Sequence, residues 1–210
     1  MKIPTSSKEF REQVVWRSSF NSSGSLEIPL VKKQELISSD IDLISYSDIK
    51  ANDNTANTRK GVHFFVDDPR FDGIYRNPDR SLKRVAQYAF VLTPDNSLYS
   101  EMGIWEQIAN VGKSRWVGAY WQSKGLTVYP TVSWGLPRTY GFSFEGIEHN
   151  APVAVGMVGC KTNKIAYLRG YNAMLDYLNP SAVICFGAPF SEMEGITVVV
   201  DYMASRKKVR

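Results

Sequence analysis

The chain has 210 residues, of which 43% are hydrophobic, 22% charged and 12% aromatic; this composition excludes intrinsic disorder and fits one domain with a core of its own. Its formal charge of +4 sits at one end, because residues 206–210 hold four of the 25 basic side chains and leave the body balanced at 21 to 21. Charge alone therefore does not select nucleic acid as a partner. No stretch approaches the length of an apolar membrane span and the N-terminus has no apolar leader, so the expectation is a cytoplasmic protein without membrane contact.

In chain order, residues 18–25 (SSFNSSGS) and 52–58 (NDNTANT) read as polar connectors. Between them residues 43–48 alternate as a short strand ending at a polar corner. Apolar strand-like runs follow at residues 63–68 (HFFVDD), 89–95 (AFVLTPD), 127–134 (TVYPTVSW), 153–160 (VAVGMVGC) and 182–189 (AVICFGAP). Each stops at a polar, acidic or glycine-rich corner. Residues 142–146 (FSFEG) and 196–202 read as two further strands. Helices are expected after Asn77-Pro78-Asp79, which offers an N-cap, a first-turn proline and an acid. Further helices are expected over residues 102–124, and over 164–178, where Ile165, Leu168, Tyr171, Leu175 and Leu178 recur at helical spacing before Asn179-Pro180.

Apolar strands alternating with helices describe an α/β fold with mostly parallel strands. Eight candidate strands suit a small or incomplete α/β barrel-like domain, with an open doubly wound sheet as the alternative. The organisation expected is an N-terminal extension over 1–60 with one strand, an α/β domain over 61–205 and a basic tail over 206–210. In either architecture the reactive residues gather at the C-terminal ends of the strands.

Those ends supply the candidates. Asp67 and Asp68 close one run, with Asp67 preferred, and Asp95 closes another; Glu145 precedes Gly146 at a third. Carboxylates in a partly dry site divide acid and base roles because burial and mutual repulsion separate their pKa values. Asp67, Asp95 and Glu145 are accordingly the expected catalytic groups. Asp68, Arg115, Trp116, Tyr120, Gln122, Ser133 and Trp134 are the expected substrate contacts, since a guanidinium grips an anion bidentately and indole or phenol rings stack on a base or sugar. Each also has a structural reading: the acids as turn or helix caps, Trp116 and Tyr120 as core. His63 is placed at the start of its strand, opposite Asp67, and His149 in a polar turn, so no nucleophilic triad is expected. Cys160 and Cys185 read as reduced thiols. No metal-type spacing or glycine-rich nucleotide motif is present, and the cofactor is left open.

The ordered series 63–68, 93–99 (TPDNSLY), 115–122 (RWVGAYWQ), 130–134 (PTVSW) and 142–147 (FSFEGI) resembles the domain-of-unknown-function family number 4417, whose members look like products of phages and other mobile elements. The similarity runs from about Gly61 to Gly187. It implies a phage or mobile-element accessory protein acting on host defence or replication, but no reaction. Two functions stay open: a hydrolase or glycosyl-type enzyme acting on a nucleotide, nucleic acid or sugar-containing substrate, and a non-catalytic protein that binds or inhibits a host protein. Oligomeric state is not legible.

Overall fold

The computed structural model describes residues 4–201. Helix α1 (Ser7–Arg17) leads into a two-stranded antiparallel hairpin, β1 (Ser22–Ser23) and β2 (Ile28–Pro29), then β3 (Leu43–Ser45), α2 (Thr55–Thr58) and β4 (Gly61–His63). Next come α3 (Gly73–Arg76), α4 (Pro78–Val85), β5 (Phe90–Leu92), α5 (Ile104–Ser123) and β6 (Val128–Tyr129). The last part holds α6 (Tyr140–Ser143), β7 (Val153–Gly156), α7 (Lys164–Leu178), β8 (Val183–Phe186) and β9 (Ile196–Val200).

Strands β3, β4, β5 and β6 pair in that order, all parallel, and β7, β8 and β9 form a second parallel set. A parallel bridge between Thr131 and Ala154 joins the two sets. Spatial order therefore equals chain order. A doubly wound sheet would reverse its order at a switch point, and no reversal occurs.

Period-two alternation sorts the strand side chains onto two faces. On the outer face Ile44, Val62, Phe64, Val91 and Val128 pack against Val85 of α4 and Val117, Tyr120 and Trp121 of α5. Val153, Val155, Val183 and Cys185 pack against Tyr171, Met174 and Leu178 of α7. Among the described residues the inner face has no helix. It is filled by strand side chains alone or by residues just beyond them, among them Leu43, Phe90, Tyr129, Ile184 and Val200. Leu43 comes from the first strand of the sheet and Val198 and Val200 from the last, so the sheet curls until its two edges share one interior. No pairing closes β9 onto β3 among the described residues, and the fold is an incomplete α/β barrel of seven parallel strands.

Two glycines permit close approach of aromatic rings to the strand backbone. A Cβ on Gly61 would lie 2.0 Å from the Phe90 ring, and one on Gly156 would lie 2.7 Å from the Phe65 ring; the rings cross the barrel interior over bare backbone.

The α4, α5 and α7 helices and six of the eight expected strands are present; the strand expected over residues 63–68 is instead β4, Gly61–His63, which shares only His63 with it. Residues 142–146 are not a strand. Pro137 opens a 3-10 turn that runs into α6, and Phe142 and Phe144 enter different apolar clusters. The edge of β6 that a strand there would need is already bridged to β7. The residue 18–25 connector contains β1, and Asn54 caps α2 through a bond from Asn57 N–H at 2.9 Å.

Residues before β3 wrap the helical layer. No residue of α1 is buried, yet Trp16 packs edge-on against Trp116 at 4.8 Å and the Arg17 guanidinium lies 3.9 Å from the centre of the Tyr75 ring. Trp116 Nε1 donates to Arg17 O at 2.8 Å. The basic tail expected at 206–210 lies outside the described residues. No helix among the described residues is long and apolar enough to cross a membrane.

Candidate functional site

The C-terminal ends of β3 to β8 surround a cavity of about 540 Å³. Parallel strands must send their chain out of the sheet at that end, and the departing segments carry the polar side chains. After β4 the chain supplies Phe65, Asp67 and Asp68; after β5, Asp95 and Ser97; after β6, Ser133 and Trp134; after β7, Cys160. Tyr167 of α7 and Phe186 at the end of β8 complete the wall.

Asp68 and Asp95 are the central acids. Ser97 fixes the Asp68 carboxylate with two donors, its N–H at 3.0 Å and its hydroxyl at 2.6 Å. Burial pushes Asp95 up to about 7; a hydrogen bond from Ser133 opposes the rise, the charge of Asp68 adds to it, and Arg115 opposes it. One carboxyl is thus poised to exchange its proton near neutral pH beside another that is held in place.

Arg115 lies behind this wall and does not line the cavity. It is buried, and its guanidinium donates to Thr131 O at 2.9 Å, Ser143 O at 2.9 Å and Glu145 O at 3.1 Å. Burial pushes it down to about 10, with Asp95 opposing. It remains a cation at neutral pH whose donors tie α5 to the segment after β6 and to the α6 turn. The ends of β5 and β6 are locked together as well, since Thr131 N–H donates to Thr93 Oγ1 at 2.9 Å and Thr131 Oγ1 donates to Thr93 O at 2.8 Å.

His63 is the last residue of β4 and lines the cavity, so its expected place at the far end of the strand is corrected. The backbone leaves the ladder at once, and Phe65 N–H donates to His63 Nδ1 at 3.2 Å. That bond assigns the ring proton to Nε2, which is buried and has no partner. Burial pushes the imidazole down to about 3, so it is neutral at physiological pH. Its ring lies 4.4 Å from that of Phe186, and Phe65 stacks on Phe186 at 4.9 Å.

The fold brings Asp67, Asp68, Asp95, Ser133 and Trp134 to one cavity. Asp67 is at its exposed edge, 3.8 Å from Arg70, with 85% of its side chain exposed; Asp68 is the inward member of the pair. Trp134 rests on α7, where a Cβ on Gly170 would meet the indole at 2.2 Å, and it packs on Tyr167 at 5.0 Å.

Besides Arg115, the expected catalytic Glu145 and the expected contacts Trp116, Tyr120 and Gln122 lie elsewhere. Glu145 sits in the turn after α6, where Ser23 Oγ and Tyr177 Oη donate to its carboxylate at 2.9 and 2.8 Å; it ties the N-terminal hairpin to α7. Trp116 and Tyr120 belong to the helical layer around Trp16, and Tyr120 donates to Asp79 at the start of α4. Gln122 bonds to the backbone of Lys32. Trp116, Tyr120 and Gln122 are on α5 and Glu145 is in a turn, and none of the four lines the cavity.

Both cysteines are free. Burial pushes Cys160 up to about 11, so it is a neutral thiol in the wall rather than an activated nucleophile. Among the described residues no group of three His, Cys, Asp or Glu side chains is arranged to hold a metal ion.

The family model for Domain of unknown function (DUF4417) matches residues 20–203. The "Gene 1 protein" of Mycobacterium phage L5 is 35% identical over 174 residues, 81% of this chain and 75% of that protein. The "Gene 1 protein" of Mycobacterium phage D29 is 34% identical over 174 residues, again 81% of this chain but 64% of its own length. No solved structure matches the chain.

Proposed function

We propose that this chain, which belongs to the DUF4417 family of phage-associated proteins, is an acid–base enzyme with hydrolytic or glycosyl-type activity on a small molecule. The observation that carries the reading is Asp95, pushed up to about 7 in a cavity that it shares with the Ser97-bound Asp68. An acid with that affinity for its proton both holds it and gives it up near neutral pH, the condition for efficient general catalysis.

In the reaction Asp95 donates its proton to the leaving atom as the bond to it breaks. Water adds to the carbon left behind and gives a proton to Asp68; the proton then returns to Asp95 through solvent. The net change is addition of one water across the cleaved bond. Arg115 acts at one remove, as a positioning residue that supports the β6 end and restrains the rise of Asp95.

The test is release of product from a panel of ribonucleosides and nitrophenyl glycosides. Wild-type turnover should fall by about a hundredfold or more in Asp95→Asn and in Asp68→Asn, with circular dichroism unchanged. Undiminished turnover in both variants, or none of the panel cleaved by the wild type, overturns the reading. A second reading, binding of a host protein, is favoured by Trp105 and Tyr99, which are 72% and 62% exposed; Tyr99 is at the cavity rim. In that case Trp105→Ser removes the phage phenotype and Asp95→Asn leaves it intact.

A further inference from the structure

Resting on the acid–base reading, the contents of the cavity restrict what it holds. Its charge is one-sided. Asp48, Asp67, Asp68 and Asp95 line it, and the single cation lining it among the described residues is Arg70, at the exposed edge beside Asp67. Arg115, the nearest buried cation to Asp95, already donates to three carbonyls. Inside the cavity a phosphate would enter a field of carboxylates, since the one guanidinium of the lining, Arg70, is at the exposed edge and beside Asp67, and like charges at close quarters are strongly unfavourable. An uncharged molecule meets no such barrier.

The second restriction comes from His63. It is 3% exposed, its Nε2–H has no partner, and it lines the cavity. An orphaned buried donor calls for an acceptor, and this one lies among aromatic rings: His63, Phe65 and Phe186 pack together, and Trp134 and Tyr167 form a second packed pair in the lining. A flat ring bearing a carbonyl oxygen or an unprotonated ring nitrogen fits between such walls and satisfies that donor. The carboxylates require the opposite, groups that donate, as sugar hydroxyls do.

We propose that the cavity is a nucleoside site: it takes an uncharged sugar joined to a heteroaromatic base, accepts from the sugar hydroxyls through Asp68, donates to the base through His63 Nε2–H, and rejects the phosphorylated forms. Nucleotides and nucleic acid, open on sequence grounds, are thereby set aside as substrates of this cavity.

The experiment is calorimetric binding of adenosine, guanosine, cytidine and uridine, each beside its 5′-monophosphate and beside free ribose, to the full chain and to Asp95→Asn, which keeps the cavity but lacks the proton donor. At least one nucleoside should bind at least about tenfold more tightly than both its monophosphate and ribose. His63→Phe, which keeps an aromatic ring and removes the donor, should lose about tenfold; His63→Gln, which restores an N–H donor, should recover most of it. The proposal is overturned if no nucleoside binds, if a monophosphate binds as well as its nucleoside, or if folded His63→Phe binds like the wild type. Nucleoside binding without turnover removes the acid–base reading and leaves the nucleoside site standing. Turnover of a nitrophenyl glycoside without nucleoside binding does the reverse.

Discussion

Replacing Arg115 with Met should lower the stability of the protein by about 4 kcal/mol, measured by urea unfolding, with a fall in melting temperature of about 10 °C. The guanidinium is buried and spans Thr131, Ser143 and Glu145, whose carbonyls accept its protons at 2.9 to 3.1 Å. A thioether fills the volume and leaves those carbonyls without their donor, each at a cost of about 1–3 kcal/mol; relief from burying a charge offsets part of the sum. Arg115→Lys should recover only part of the loss, because one ammonium cannot fork to three diverging acceptors. The same substitution should act on the cavity. Arg115 opposes the rise of Asp95, so in Arg115→Met that carboxyl should titrate higher than in the wild type.

The Asp95→Asn variant should be more stable than the wild type at pH 8 by about 2–4 kcal/mol, and indistinguishable from it near pH 3. The folded protein raises this carboxyl from 3.8 to about 7, so the folded state binds the proton more tightly than the unfolded state. The contribution of Asp95 to stability is then greatest below the unfolded pKa, declines as pH rises from about 4 to about 7, and stays low above it. Each unit of difference corresponds to about 1.4 kcal/mol, and partial opening of the cavity to water places the result at or below the full product. An amide has no ionised form to desolvate and can still accept from Ser133, so the variant lacks this decline. A substitution that stabilises the fold while abolishing turnover marks a residue kept for chemistry.

That the corners holding Asp68 and Asp95 meet at one cavity was legible in the sequence, because each follows a mainly apolar run of a buried parallel strand. Helix α7 was legible for a similar reason, its apolar stripe recurring over four turns and stopping at Asn179, which takes the left-handed conformation at φ 43°. The choice between Asp67 and Asp68 was not legible. It depends on where β4 ends, and β4 ends at His63 because Phe65 N–H turns to the His63 imidazole instead of continuing the ladder. That one local bond sets which carboxylate faces inward and places His63 in the wall. Glu145 was misplaced for a different reason. Phe142 and Phe144 alternate like strand residues, but a 3-10 turn at Pro137 commits the segment to α6. Arg115, Trp116, Tyr120 and Gln122 are consecutive enough to look like one surface, yet a helix turns them to different partners: strand-end carbonyls, Trp16, Asp79 and Lys32.

The central claim is that the strand-end cavity holds one carboxyl, Asp95, whose proton leaves near neutral pH because it is half-buried and faces the charge of Asp68. Carbon-13 NMR titration of the aspartate side-chain carboxyls tests it without knowledge of any substrate. The account predicts a midpoint for Asp95 near 7 in the wild type and a lower one in Asp68→Asn. A midpoint near 4, unchanged by the loss of Asp68, would contradict it.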